Sequence, residues 1–196
     1  MKDTQALRKA LKQARLSLPH AERLAAAAAA IQRIRRLPMY QRSRRLATFI
    51  GSNGELDPMP LAYRAIEDGK RVYLPVLHPF LAGRLLFCRW QPGRPLHMNR
   101  FGIPEPTPAN STVIPARHLD LVIMPLLGFD AHCHRLGMGG GYYDRTFAFR
   151  NRSRVISRPR LLGLAHEVQR VAAIDAMPWD IQPDLIVSNA RIYRCR

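Results

Sequence analysis

Acidic residues are scarce in this sequence of 196 residues: 14 Asp and Glu stand against 31 Lys and Arg, a formal charge of +17. Such a field attracts polyanions of any size. Twelve of the 31 basic residues fall in the first 45 positions, with only Asp3 and Glu22 to offset them. A second cluster comprises Arg150, Arg152, Arg154, Arg158 and Arg160. Neither cluster has aromatics interleaved as a base-stacking platform requires, so no nucleic-acid partner is expected. Cysteine is equally sparse. Cys88, Cys133 and Cys195 show no paired framework, and a reducing cytoplasm is the expected compartment. The alanine run Ala25–Ala30 is too short and too weakly apolar to cross a membrane. The polar first residues contain no signal-peptide core.

Several catalytic signatures are missing as well. No Gly-Lys-Ser/Thr occurs, which excludes a Walker A loop, and Gly137-x-Gly139-x-x-Tyr142 fails the dinucleotide pattern. No Gly-x-Ser-x-Gly elbow is present. His132-Cys133-His134 lacks the spacing of zinc ligands, and no second Cys/His pair completes a tetrahedron. There are no internal repeats and no heptads.

What is present reads as alternating helices and strands. Thr4 to Leu18 has Leu7, Leu11 and Ala14 on one face, with Arg8, Lys9, Lys12 and Arg15 around it as solvated charge. Pro19 opens a second helix, which runs through the alanines to about Leu37 and is expected at the surface. Leu46–Ile50 and Arg71–Leu77 read as strands either side of a helix from Met59 to Glu67, closed by Gly69. That is a βαβ unit, and it predicts a parallel pair. Further strands are expected at Leu85–Trp90, Leu119–Met124, Leu161–Ala165, Asp184–Ser188 and Ala190–Tyr193. A short helix is expected at Glu167–Ala173, and an exposed loop at Arg150–Arg160. The pattern predicts one domain over residues 1–196. Its fold is α/β: a three-layer, Rossmann-like arrangement with a mixed, mainly parallel sheet and helices on both faces. The site is expected at the carboxyl ends of the strands.

The centre of the chain is Pro125–Phe147, PLLGFDAHCHRLGMGGGYYDRTF. A buried strand feeds a long loop, then Gly137, Gly139, Gly140 and Gly141, then a helix that starts at Tyr142. That order gathers free backbone N–H groups at a helix start, which suits a phosphate. Asp144, read as an exposed carboxylate just inside the helix, is placed to hold a metal against it.

The segment GFDAHCHRLGMGGGYYDR resembles the signature G-F-D-x-x-G-x-R-L-G-x-G-[GK]-G-Y-Y-D of the 5-formyltetrahydrofolate cyclo-ligases. LRKALKQARLSLPHAER is similar to that family's amino-terminal helix, Glu55-Leu56-Asp57-Pro58 to its acidic turn, and Phe101–Pro106 to its proline segment. Two departures stand out. Thr4 occupies the family's Lys position, with Lys2 the nearest substitute, and Cys133 stands where the family has Gly, a position expected to need φ > 0.

The resemblance implies Mg- and ATP-dependent ring closure of 5-formyltetrahydrofolate to 5,10-methenyltetrahydrofolate. It places ATP on Thr4, Arg8, Arg135, Leu136, Gly137, Met138, Gly139, Gly140, Gly141, Tyr142 and Tyr143. It places the folate, which carries a polyglutamate tail in some forms, on Ile50, Glu55, Phe101 and the Met138–Tyr142 backbone. Mg falls to Asp144 and Asp180, with Arg135 and Tyr143 as catalytic groups. The expected state is a monomer with no membrane partner. Two other readings remain open on the residues alone: a basic nucleic-acid-binding module with a structural glycine turn, and an ATP-dependent ligase or kinase for another small acid.

Overall fold

A computed structural model describes residues 4–151 and 158–195. Helix α1 (Thr4–Leu16) leads to α2 (His20–Arg35) and the single turn α3 (Pro38–Gln41). Strand β1 (Arg45–Ala47), α4 (Met59–Glu67) and β2 (Arg71–Leu77) follow, then β3 (Leu85–Trp90), β4 (Leu96–Met98), β5 (Pro104–Pro106) and β6 (Val113–Ile114). Next come β7 (Leu121–Pro125), β8 (Gly128–Phe129), β9 (Arg135–Leu136) and α5 (Tyr142–Phe147). The chain finishes with β10 (Arg160–Ala165), β11 (Leu185–Ser188) and β12 (Ile192–Arg194).

Eight strands form one sheet in the order β12-β11-β10-β7-β1-β2-β3-β6. The run from β11 to β2 is parallel throughout. Antiparallel β12 closes one side, and β3 with β6 extends the other. Strand β7 shows why the sheet is covered on both faces. Leu121 and Ile123 pack with the α2 and α4 residues Ala30, Ile34, Leu61 and Ala65. Val122 and Met124, which point the other way, pack with Phe147 of α5. Each of the larger apolar side chains among these contributes roughly 1.5–3 kcal/mol of burial.

Several expectations need correction. Helix α2 keeps one face in solvent, with Leu24 61% exposed, but its alanines are not all surface: Ala26, Ala27 and Ala30 are buried and let the other face sit close on the sheet. Arg15 is not solvated: its side chain is 1% exposed. Helix Glu167–Ala173 shrinks to the 3-10 turn Glu167–Gln169. Arg170 bridges to Phe129, and the Val171 amide donates to the Phe129 carbonyl at 2.8 Å, which holds the chain extended. The loop before the glycines contains the β8–β9 hairpin. Cys133 is bonded to Cys195, so two of the three cysteines are paired after all. As its place in the pattern predicts, Cys133 has φ 64°. Of the second basic cluster, residues 152–157 lie outside the described residues, as does Lys2. The flanking Arg150 and Arg160 both bind Asp184, at 3.1 and 2.7 Å.

Candidate active site

The parallel strands deliver three loops to one edge of the sheet: 48–58 after β1, 126–141 after β7, and 166–184 after β10. Helix α1 lies across that edge. Leu7 and Leu11 pack with Leu127, Leu136, Val171 and Ile174 from two of those loops. Leu11 comes so near Gly128 that a Cβ there would stand 2.6 Å from its methyl group. Gly128 is therefore the notch that seats α1.

This seating brings Arg8 to the glycine turn. Its Nε donates to the Gly137 carbonyl at 3.1 Å, across 129 residues of chain. A cleft of about 550 Å³ opens beside it, lined by Arg8, Lys9, Lys12, Leu127 and Met138. Among the described residues, no amide from Gly137 to Gly141 donates to a protein group. Gly139 has φ 96° and Gly141 φ 62°, conformations that side chains resist. A bare, solvated run of donors beside three cations is a ready anion site. Leu136 sits at the base of the glycine turn. Its side chain is buried under α1 and its carbonyl accepts from Leu127, because it pins the hairpin.

Across the edge, Glu55 sits in the turn after β1. Its Oε2 accepts the Ser52 amide at 3.0 Å and its Oε1 meets Arg15 Nη1 at 3.3 Å. Burial raises the Glu55 pKa, while the Ser52 amide and Arg15 oppose the rise. Tyr143 feels that carboxylate. Burial first, then the Glu55 charge, raises its pKa, with Arg135 acting against them, so the hydroxyl stays a neutral donor. Its ring stacks on Phe147 at 6.1 Å.

Phe101 and Tyr142 meet edge to face at 5.8 Å, and Arg100 donates to the Tyr142 hydroxyl at 2.6 Å. Phe101 is 54% exposed, with the Arg100 guanidinium 5.0 Å over its ring, so an aromatic side chain held by its neighbours is offered to solvent. Ile50 is half-buried against the main core.

Arg135 and Asp144 pair with each other. The guanidinium donates to the Ile181 carbonyl at 2.8 Å and pairs with Asp144 Oδ1. Asp144 also accepts the Ile181 amide at 3.0 Å, and its side chain is only 20% exposed. It is an internal anchor as well as a candidate ligand, not a freely exposed carboxylate.

A model of the 5-formyltetrahydrofolate cyclo-ligase family matches residues 1–189. The chain belongs to that family. It is a ligase family by name. Over 148 residues the chain is 43% identical to the 5-formyltetrahydrofolate cyclo-ligase of Escherichia coli strain K12, covering 76% of this chain and 79% of that one. With the cyclo-ligase of Mycolicibacterium smegmatis it shares 29% over 187 residues, 94% of this chain and 93% of the other. The solved 5,10-methenyltetrahydrofolate synthetase of Aquifex aeolicus superposes with TM-score 0.82 at 26% identity, covering 98% and 93% of the two chains.

For a cyclo-ligase, the chain's two departures from the motif are both local. Thr4 is the first residue of α1, one turn before Arg8, and so lies on the helix face that reaches the glycine turn. Cys133 sits in the β8–β9 turn, which Asp130 organises. Its Oδ1 accepts the His132 and His134 amides at 2.9 Å each, and Oδ2 accepts the Ile174 amide at 3.0 Å. His134 Nδ1 faces the same oxygen at 2.9 Å. His132 and His134 thus serve a turn.

The carboxylates suit a hard cation. No group of three or more His, Cys, Asp or Glu side chains gathers among the described residues. Mg is commonly held by one or two carboxylates plus phosphate oxygens, not by an all-protein cage. Asp144 Oδ2 lies outside its bonds to Arg135 and Ile181, and Asp180 Oδ1 lies outside its turn bond from the Met177 amide. Asp180 directly precedes Ile181, so the Ile181–Asp144 bond places the two residues near each other along the backbone.

Two residues of the site were not singled out by their sequence context. Arg15 looked like one of many surface cations. His166 follows β10, is 1% exposed and has its pKa lowered to about 4 by burial, with Arg15 and Arg23 adding to the effect against the Gly54 backbone. Only their seats in the fold distinguish them.

Proposed function

We propose that this chain closes 5-formyltetrahydrofolate to 5,10-methenyltetrahydrofolate at the expense of ATP. The observation that supports it most is the Arg8–Gly137 hydrogen bond, which makes one anion site from α1 and the unpaired glycine amides. The triphosphate lies along Gly137–Gly141, beside Arg8, Lys9 and Lys12. Asp144 and Asp180 hold Mg, which when bound neutralises charge on the phosphate oxygens. The pterin lies between Glu55, Ile50 and the exposed face of Phe101, with Tyr142 behind it. Glu55 as a carboxylate accepts from the donor edge of the reduced pterin.

The chemistry needs activation because a formamide oxygen is a poor leaving group. The formyl oxygen attacks the γ-phosphorus and ADP leaves, giving an iminium phosphate. The anilino nitrogen then adds to the formyl carbon and releases its proton to solvent, and phosphate departs with the former formyl oxygen to leave the methenyl bridge. The protein positions the partners and offsets charge. Tyr143, kept protonated, donates a hydrogen bond at the reacting group. Arg135 fixes Asp144 and the 177–181 turn, and so acts on the phosphoryl through that carboxylate.

The test is the absorbance of the methenyl product from 5-formyltetrahydrofolate, with and without Mg-ATP. Product only when Mg-ATP is present supports the reading. No product under either condition, or equal product without ATP, removes it.

A further inference from the structure

Arg15 is the least exposed arginine at the site, and it is spent on the folate side. Its Nε donates to the Asn53 carbonyl at 3.0 Å and its Nη1 meets Glu55 at 3.3 Å. The side chains are 1% and 13% exposed, so neither charge is a solvated one. Arg8, Leu11 and Arg15 stand at i, i+3 and i+7 of α1, along one face spanning ~10 Å. Arg8 grips the glycine turn, Leu11 fills the notch above Gly128, and Arg15 grips the 52–55 turn. Gly54 is packed on the same helix, since a Cβ there would stand 3.1 Å from the Arg15 carbonyl.

We propose that Arg15 is a positioning residue for folate: its fork fixes the Glu55 carboxylate, so that α1 holds the folate turn at one end and the phosphate turn at the other. This rests on the reading of Glu55 as a folate contact. Three observations carry it. The fork makes two bonds to the turn, one to backbone and one to carboxylate, which a single ammonium cannot reproduce. Glu55 is then held on both oxygens, Oε1 by Arg15 and Oε2 by the Ser52 amide, leaving it a single rotamer. The helix carrying Arg15 is registered by Leu11 and not by the charge, so the fork is aimed before substrate arrives. The charged group acting on Glu55 is Arg15 from α1, with Ser52 acting from its own turn, and the Glu55 charge in turn acts on Tyr143 of α5.

The test measures binding of 5-formyltetrahydrofolate and of a non-hydrolysable ATP analogue, separately, to wild type, Arg15→Lys, Arg15→Met, Glu55→Gln and the Arg15→Met/Glu55→Gln pair. Arg15→Met weakens folate about tenfold or more and the ATP analogue less than about twofold. Arg15→Lys falls between wild type and Arg15→Met for folate. The double variant binds folate no more weakly than Glu55→Gln alone, because Arg15 acts through that carboxylate. Unchanged folate affinity in Arg15→Met, equal weakening of both ligands, or additive losses in the double variant overturns the proposal. If Arg15→Met fails to fold by circular dichroism, Arg15→Lys decides: wild-type folate affinity there overturns it. Turnover by wild type is measured alongside. Failure there removes the proposed function, whereas turnover with unaltered folate binding in the Arg15 variants removes only this inference.

Discussion

Asp144 Oδ1 accepts both the Arg135 guanidinium and the Ile181 amide, which ties α5 to the 177–181 turn. Arg135 is 6% exposed, so Asp144 is the counter-charge of a nearly buried cation. Its loss therefore has two consequences.

Asp144→Ala is expected to abolish Mg-ATP-dependent turnover and also to destabilise the fold by about 3–5 kcal/mol, the cost of stranding a buried charge. Asp144→Asn keeps the Ile181 bond and so retains more stability while losing the charge on the metal side. Thermal unfolding and turnover measured together check this. An Asp144→Ala protein with wild-type stability contradicts the anchoring role, and wild-type turnover removes Asp144 from the chemistry.

Thr4 lies one turn before Arg8, on the helix that grips the glycine turn. Thr4→Lys adds a cation to that end of the cleft beside the glycine turn and is expected to lower the KM for ATP about twofold to fivefold, with KM for folate unchanged. Steady-state kinetics at low salt read it. An unaltered or raised KM for ATP shows that the first turn of α1 does not face the triphosphate.

His166 gives stability a pH dependence. Its pKa falls from the ordinary 6.5 to about 4 on folding because burial disfavours the charged ring. The unfolded chain therefore binds the extra proton first. The stability due to a neutral His166 is complete above pH 6.5 and is lost as pH drops toward 4, on the order of 3 kcal/mol. Unfolding curves of wild type and His166→Gln between pH 7 and 4 are expected to converge toward the acid end. Parallel curves contradict it.

The Cys133–Cys195 bond spans 62 residues and ties the end of the chain to the β8–β9 turn. Cys195→Ser is expected to lower stability by about 2–4 kcal/mol under non-reducing conditions. Denatured, unreduced wild type should titrate with one thiol, the buried Cys88, whose pKa burial pushes to about 11 while folded. Three thiols contradict the pairing.

Much of this was legible in the residues. The parallel β1–α4–β2 unit followed from Met59–Glu67 and the apolar strands around it, and the positive φ of Cys133 from its place in a glycine pattern. Patterns of period 2 and 3.6 report burial within an element. They do not report what lies across the fold. Arg15 and Lys12 look alike in sequence, yet one is buried against Glu55 and the other lines an open cleft. The alanines of α2 read as surface because alanine suits any helix face, and only the neighbouring sheet makes that face a core. The Cys133–Cys195 pair and the Asp144–Ile181 bond join segments 62 and 37 residues apart, which spacing alone does not encode.

Hydrogen exchange at the amides of residues 137–141, with and without Mg-ATP, tests the phosphate site most directly. Free, these amides make no protein hydrogen bond among the described residues and should exchange fast. With saturating Mg-ATP they should become strongly protected, and Arg8→Ala should reduce that protection. Nucleotide bound at saturation with these amides still exchanging at their free rate would place the triphosphate elsewhere and contradict the account.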